Sequence, residues 1–147
     1  MEFKKNIEKY MLLLTIAGAL LSFYLYYTDV IKVPAICPTD GCAKVAASEY
    51  SRFLGIHVSL WGLLYYLGFS CLFFFKDSLE VVKKYFSLLL TLAMMVGIGF
   101  TLYLRFVELV FIKAICVWCW GSVLIMVLLT ILYFLNRKTN VDQKESN

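Results

Sequence analysis

The segment ICVWCW, Ile115 to Trp120, sets two thiols three positions apart at the start of a long apolar run. Helical i,i+3 spacing puts both Cβ atoms on one face, with Cα atoms roughly 5 Å apart and within disulfide range. Cys116 falls near a helix N-terminus, where free N–H groups and the helix dipole favour a thiolate, the form that attacks a disulfide. A second pair, Cys37 and Cys42, lies in ICPTDGC, where the turn formers Pro38, Asp40 and Gly41 can bring the two sulfurs together. A disulfide in such a loop is exposed and mobile, of the exchangeable kind. On spacing alone, three chemistries fit the two pairs: a thiol–disulfide relay, two structural disulfides, or a four-sulfur zinc site. The relay is favoured over zinc because Cys119 faces an apolar environment and no structural module surrounds the pairs. Cys71, alone in an apolar run, reads as packing.

The elements that must position these cysteines cross a membrane. Of 147 residues, 62% are hydrophobic and 16% charged, and the mean hydropathy is +0.80. A water-soluble domain of this size has no core large enough to hide that much apolar surface. Four intervals carry no charged residue: Tyr10–Thr28, Val58–Phe75, Tyr85–Leu104 and Ala114–Asn136. A bilayer core about 30 Å thick needs roughly 20 helical residues to cross it. The expected fold is an all-α membrane protein, one domain over residues 1–147, with helices at about 10–28, 58–75, 85–104 and 114–136. Lys4, Lys5 and Lys9 ahead of an apolar run imitate a secretion signal, but the run continues past Ala17–Ala19 and is read as a retained helix.

Orientation follows from Lys and Arg. With the N-terminus in the cytoplasm, nine fall inside: Lys4, Lys5, Lys9, Lys76, Lys83, Lys84, Arg137, Lys138 and Lys144. Five fall outside: Lys32, Lys44, Arg52, Arg105 and Lys113. Both termini are therefore expected in the cytoplasm, with 137–147 as a polar tail. This topology puts Cys37, Cys42, Cys116 and Cys119 together on the oxidising side, although the cysteines took no part in deriving it. The net charge of +4 is mostly this topological bias, and nothing supports nucleic-acid binding. A relay next to lipid needs a terminal acceptor there, for which a lipid-soluble quinone is natural, while the loop pair can meet a soluble protein thiol.

The outer connection, about 29–57, contains Ala46, Tyr50, Phe53, Leu54 and His57 at helical spacing, with Gly55 as a stop. That pattern predicts a short amphipathic helix lying at the outer interface. Arg105 and Glu108, at i,i+3, read as a surface ion pair. Charges embedded in the membrane would favour a transporter, but the four charge-free intervals contain none.

The two stretches CPTDGCAKVAASEYSRFLGIHVSLWGLLYY and YLRFVELVFIKAICVWCWGS resemble the vitamin K epoxide reductase family and its prokaryotic homologues. The shared pattern is a loop cysteine pair, a serine six residues after its second member (Ser48), a glycine before helix two, and C-x-x-C opening the last helix. The resemblance implies a four-helix bundle around a quinone pocket, covered by the loop and its short helix. It further implies that Cys37 is attacked by a separate extracytoplasmic thioredoxin-like protein, and that Cys42 exchanges with Cys116 through a transient disulfide. Cys119 would then reduce the quinone and re-form Cys116–Cys119, with Ser48 orienting groups beside the relay. The acceptor would be of menaquinone, ubiquinone or phylloquinone type, with no metal or flavin.

His57, Tyr65, Trp118 and Val123 are the candidate quinone contacts. The vertebrate enzymes bind vitamin K with an asparagine near helix two and a tyrosine four residues after the last cysteine. Here that second position is Val123, and no asparagine occurs between Asn6 and Asn136. The expected activity is therefore quinone reduction coupled to disulfide formation, with epoxide reduction disfavoured. The alternative is a non-enzymatic membrane module holding zinc or structural disulfides.

Overall fold

The computed structural model describes residues 2–33, 35–38, 40–75 and 78–145; Lys76, one of the cations counted as cytoplasmic, falls outside them. Four long helices run through lipid-compatible sequence: α1 (Glu2–Ile31), α3 (Val58–Phe75), α4 (Glu80–Val107) and α5 (Val117–Glu145). Helices are required here because hydrocarbon offers no partner to an open backbone N–H or C=O. The stretches long and apolar enough to cross a bilayer are Lys5–Ile31, Val58–Phe75, Lys84–Ile112 and Val117–Lys138. Chain direction brings the C-termini of α1 and α4 and the N-termini of α3 and α5 to one end, with the 32–57 connection. All cysteines except Cys71 are at this cysteine end. The other end carries both chain termini, and α5 continues through the polar tail as far as Glu145.

The third span differs from its expected limits. A π-helical turn, Glu108–Ile112, continues α4 beyond Leu104 and closes where Lys113 turns left-handed at φ 53° and donates its N–H to the Glu108 carbonyl at 2.8 Å. Arg105 and Glu108 are thereby inside the span rather than on its surface. Charge-free windows underestimated the helix because they stop at the first charge, whether or not that charge has a partner.

The connection is also built differently from the expected amphipathic helix. A short helix, α2, covers Gly41–Ala47, and Glu49–Ser51 forms one 3-10 turn. The next residues make a two-stranded hairpin, β1 (Arg52–Phe53) with β2 (Ile56–His57), pairing Arg52 with His57 and Phe53 with Ile56. Leu54 and Gly55 turn the hairpin at φ 55° and 79°, the left-handed pair that a two-residue hairpin turn demands and that no helix contains. The helical spacing of Ala46 to His57 is therefore coincidental. Phe53 still anchors the segment to the bundle: its ring meets Phe100 and Tyr103 at 6.0 Å, and its carbonyl accepts the Trp61 indole N–H at 3.2 Å.

Core packing centres on α1, α3 and α5, where Met11, Leu129 and Phe69 are almost wholly enclosed. Polar groups in this core are satisfied between helices. Ser70 donates to Thr15 Oγ1 at 3.0 Å, Thr15 donates to the Leu12 carbonyl at 2.8 Å, and Thr91 and Tyr133 share a hydrogen bond of 2.7 Å. In lipid, association of helices rests on such packing and hydrogen bonds, not on exclusion of water. Leu129 (0% exposed) and Leu124 (61%) on the same helix therefore make a test. Leu129→Ala should cost about 2–5 kcal/mol through the cavity it leaves and lower the thermal midpoint in detergent, whereas Leu124→Ala should leave it nearly unchanged.

Candidate active site

Cys116 is the residue just before α5, and it caps that helix with sulfur. Its carbonyl accepts the Trp120 N–H at 3.0 Å, and its Sγ accepts the Cys119 N–H at 3.3 Å, the place that a serine or aspartate oxygen commonly takes. Cys37 is bonded to Cys42, with a Cα–Cα distance of 6.4 Å, while Cys116 and Cys119 are both thiols. The structure thus carries the loop disulfide, with Cys116 and Cys119 at the i,i+3 positions that a second disulfide would join. The pKa of Cys116 lies below the usual thiol range. Its main cause is the hydrogen bond from the Cys119 thiol, helped by the Cys119 backbone N–H and the Arg105 charge, against burial and the Glu108 charge.

Glu108 holds the backbone of that cap. Its Oε1 accepts the Cys116 N–H at 2.7 Å, and its Oε2 pairs with the Arg105 guanidinium. Only 2% of Glu108 is exposed, so the expected surface ion pair is in fact buried. Arg105 also lies over the Trp120 ring, 5.7 Å from its centroid, a cation–π contact that favours the charged guanidinium away from water.

The loop pair is docked on this platform at two points. Ile36, next to Cys37, donates its N–H to the Tyr24 hydroxyl at 3.1 Å and accepts the Trp118 indole N–H at 2.9 Å. Tyr24 and Trp118 pack with ring centroids 5.3 Å apart. Gly41 is the second point: a Cβ there would fall 1.9 Å from the Ile115 carbonyl oxygen, so only glycine lets the start of α2 lie on the backbone leading into Cys116. Cys42, the next residue, is 5% exposed and Cys116 is 3% exposed, whereas Cys37 is half-buried. The two cysteines of the loop disulfide therefore differ in burial, Cys37 being the more open.

Below Cys119 is a cavity of about 210 Å³ between the four long helices. Its wall is mainly apolar and aromatic, with Trp61, Phe100 and Met126 among the lining residues. The polar groups on it include Tyr65, which donates to the Ala93 carbonyl at 3.0 Å, and Tyr66, which shares a 3.1 Å hydrogen bond with Ser122. Arg105 is the one charged residue in the lining among the described residues.

Of the quinone contacts expected from sequence, Tyr65 and Val123 line this cavity, and His57 and Trp118 do not. Trp118 points its indole at the loop, where the Ile36 carbonyl occupies its only donor. His57 closes the hairpin with Nδ1 3.5 Å from Asp29 Oδ2, and Ser59 donates to the same oxygen at 3.2 Å. Ser48 ends α2, its hydroxyl donating to the Val45 carbonyl at 2.7 Å, and lines an outer groove with His57. Among the described residues no group of three or more His, Cys, Asp or Glu side chains is gathered as a metal cage. The sequence reading missed Glu108 as the clamp on Cys116 and Arg105 as a cavity wall. Their signal was two charges at i,i+3 between apolar runs, eight and eleven positions before a reactive cysteine.

The family model described as Vitamin K epoxide reductase family matches residues 9–134. The chain belongs to that family. The match covers α3 and α4 in full, most of α1 and α5, and every cysteine. Membership assigns an integral membrane thiol oxidoreductase, in a family linked to quinones, and agrees with the four-helix bundle and its disulfide.

Two measurements check this geometry. In a Cys37→Ala/Cys119→Ala variant, mild oxidation should join Cys42 to Cys116, seen by mass spectrometry as loss of alkylation at both. Adding Gly41→Ala should slow the joining by about 10- to 100-fold, the scale of an ångström-sized misplacement. In a Cys71→Ser protein with the loop disulfide intact, thiolate ultraviolet absorbance should rise at a pH below the ordinary cysteine value of about 8.5. Cys119→Ala removes the main donor to Cys116 and should move that rise to higher pH.

Proposed function

We propose that this family member is a quinone-dependent thiol oxidoreductase that supports disulfide formation outside the cytoplasm. The observation that carries the reading is the placement of the sulfurs. Cys37 is half-buried, Cys42 is buried next to where Gly41 meets the backbone of Ile115, and Cys119 lines an apolar cavity. The excess of Lys and Arg at the other end supports an extracytoplasmic position for the cysteine end.

The cycle balances as a sequence of exchanges. A dithiol partner of thioredoxin type attacks Cys37 with one thiolate, making a mixed disulfide and releasing Cys42 as a thiolate. Cys42 attacks Cys116 of an oxidised Cys116–Cys119 pair, forming Cys42–Cys116 and freeing Cys119. The second partner thiol displaces Cys37 and leaves the partner oxidised; Cys37 then attacks Cys42, restoring the loop disulfide and releasing Cys116. The loop is now oxidised and the helix pair reduced. Two electrons and two protons pass from Cys116 and Cys119 to a quinone in the cavity, giving quinol and the Cys116–Cys119 disulfide. The chain's residues supply the rest: the Glu108 clamp holds the Cys116 cap, and the cavity keeps water from Cys119.

The reading is tested with protein purified in detergent, a reduced thioredoxin-like partner and a short-chain quinone, following quinol absorbance. Wild type should turn over. Cys119→Ala should abolish quinol formation, and Cys116→Ala should stop after one equivalent of partner is oxidised, leaving Cys37 and Cys42 as thiols. One bound zinc per chain with no quinol formed would overturn the proposal.

A further inference from the structure

A quinone accepting electrons from a thiolate develops negative charge on a carbonyl oxygen before it is protonated. In a site shielded from water, a preorganised cation beside that oxygen is worth far more than in solvent. Tyr65 donates its hydroxyl to the Ala93 carbonyl and Tyr66 shares a hydrogen bond with Ser122, and the other polar groups of the lining are neutral. Arg105 is the one charged group in the lining among the described residues. It is in the cavity lining with Cys119, and its side chain is 15% exposed. Its only ion-pair partner among the described residues is Glu108, which touches one end of the guanidinium, and its Nε lacks a hydrogen-bond acceptor. A guanidinium has five N–H donors, so donors are left over after the carboxylate is served. The face of the group is held by Trp120. Glu108 and Trp120 thus fix the group from two sides and leave its remaining donors for a ligand.

We propose that Arg105 is a catalytic residue of quinone reduction: it hydrogen-bonds the quinone carbonyl next to Cys119 and stabilises the oxyanion as the electrons arrive. This rests on the quinone reading above. The Cys116 and Cys119 sulfurs are oxidised to a disulfide, the quinone is reduced, and both protons of the quinol come from the two thiols. Arg105 keeps its own proton throughout. Glu108 has a double part, because the carboxylate that clamps the Cys116 N–H through Oε1 also orients Arg105 through Oε2. The electron donor and the acceptor's binding group are therefore placed by one side chain.

The test separates the two half-reactions. Quinol formation is measured after chemical reduction of the helix pair, and thiol exchange is measured as single-turnover oxidation of a reduced thioredoxin-like partner without quinone. Arg105→Gln should lower the rate of quinol formation by about 10²–10³-fold, the loss typical of an oxyanion donor, and reduce exchange far less. Arg105→Lys should recover part of the quinol rate. Because Arg105→Gln alone leaves Glu108 buried without its counter-charge, the double variant Arg105→Gln/Glu108→Gln is measured too, and it should show the same split. Quinol formation at the wild-type rate in either glutamine variant overturns the proposal. So does an equal fall in both half-reactions, which would make Arg105 a structural residue only. If wild type itself forms no quinol, the quinone reading fails and this one fails with it.

Discussion

A carboxylate at the edge of a bilayer must be paired, and the cysteine end depends on how Glu108 is paired. Its carboxylate takes the N–H of Cys116 and the guanidinium of Arg105, while its backbone carbonyl takes the N–H of Lys113. These contacts tie Glu108 back to α4, to the end of the π-helical turn and, across the four residues 113–116, to the start of α5. Removing one partner of a buried pair is worth about 3–5 kcal/mol, because the other charge is left in a medium that cannot solvate it. The π-helical turn belongs to the same arrangement: it begins at Glu108 and ends with the Lys113 bond. Insertions of this kind are commonly found at functional sites, where they re-aim a side chain.

On that platform the loop is far less free than its composition suggests. Pro38, Asp40 and Gly41 make a tight turn possible, but the turn is placed by Tyr24 and Trp118 on either side of Ile36 and by the backbone contact at Gly41. Trp118 lies between the two cysteines of CVWC, so the motif that carries the inner thiols also anchors the residue next to the outer ones. Orientation is gained without a long interface: two hydrogen bonds and one glycine hold the disulfide against the helix that it would serve.

The membrane spans, the two cysteine pairs and their common end were legible because they rest on length, charge and chain direction, quantities that one sequence contains in full. The loop was not. Helical periodicity from Ala46 to His57 survives in the sequence, yet Leu54 and Gly55 adopt the left-handed turn that favours a hairpin, and Phe53 finds aromatic partners on α3 and α4 that no local pattern reveals. The site showed the same division. Tyr65 and Val123 reached the cavity because they face the bundle axis, whereas Trp118 and His57 were diverted by partners distant in sequence, Ile36 and Asp29. Arg105 and Glu108 were misjudged because a charge-free window treats every charge as a helix end, when the pair neutralises itself and lets the helix continue.

The burial of the four sulfurs then has a chemical meaning under the proposed relay. Exchange needs access along the axis of the disulfide under attack, and small thiols outside the cytoplasm could otherwise intercept it. Cys37, half-buried, is the more open of the loop pair, whereas Cys42 at 5% and Cys116 at 3% exposure are shielded from solvent. Cys119 borders the apolar cavity. Successive sulfurs thus pass from a solvent-reachable position through a closed one to an apolar one, and the two buried steps exclude competitors by sterics alone. The lowered pKa of Cys116 favours its release from Cys42, since a more acidic thiol leaves a disulfide faster. The Cys119 thiol, which gives Cys116 its main hydrogen bond, is therefore also what favours that release.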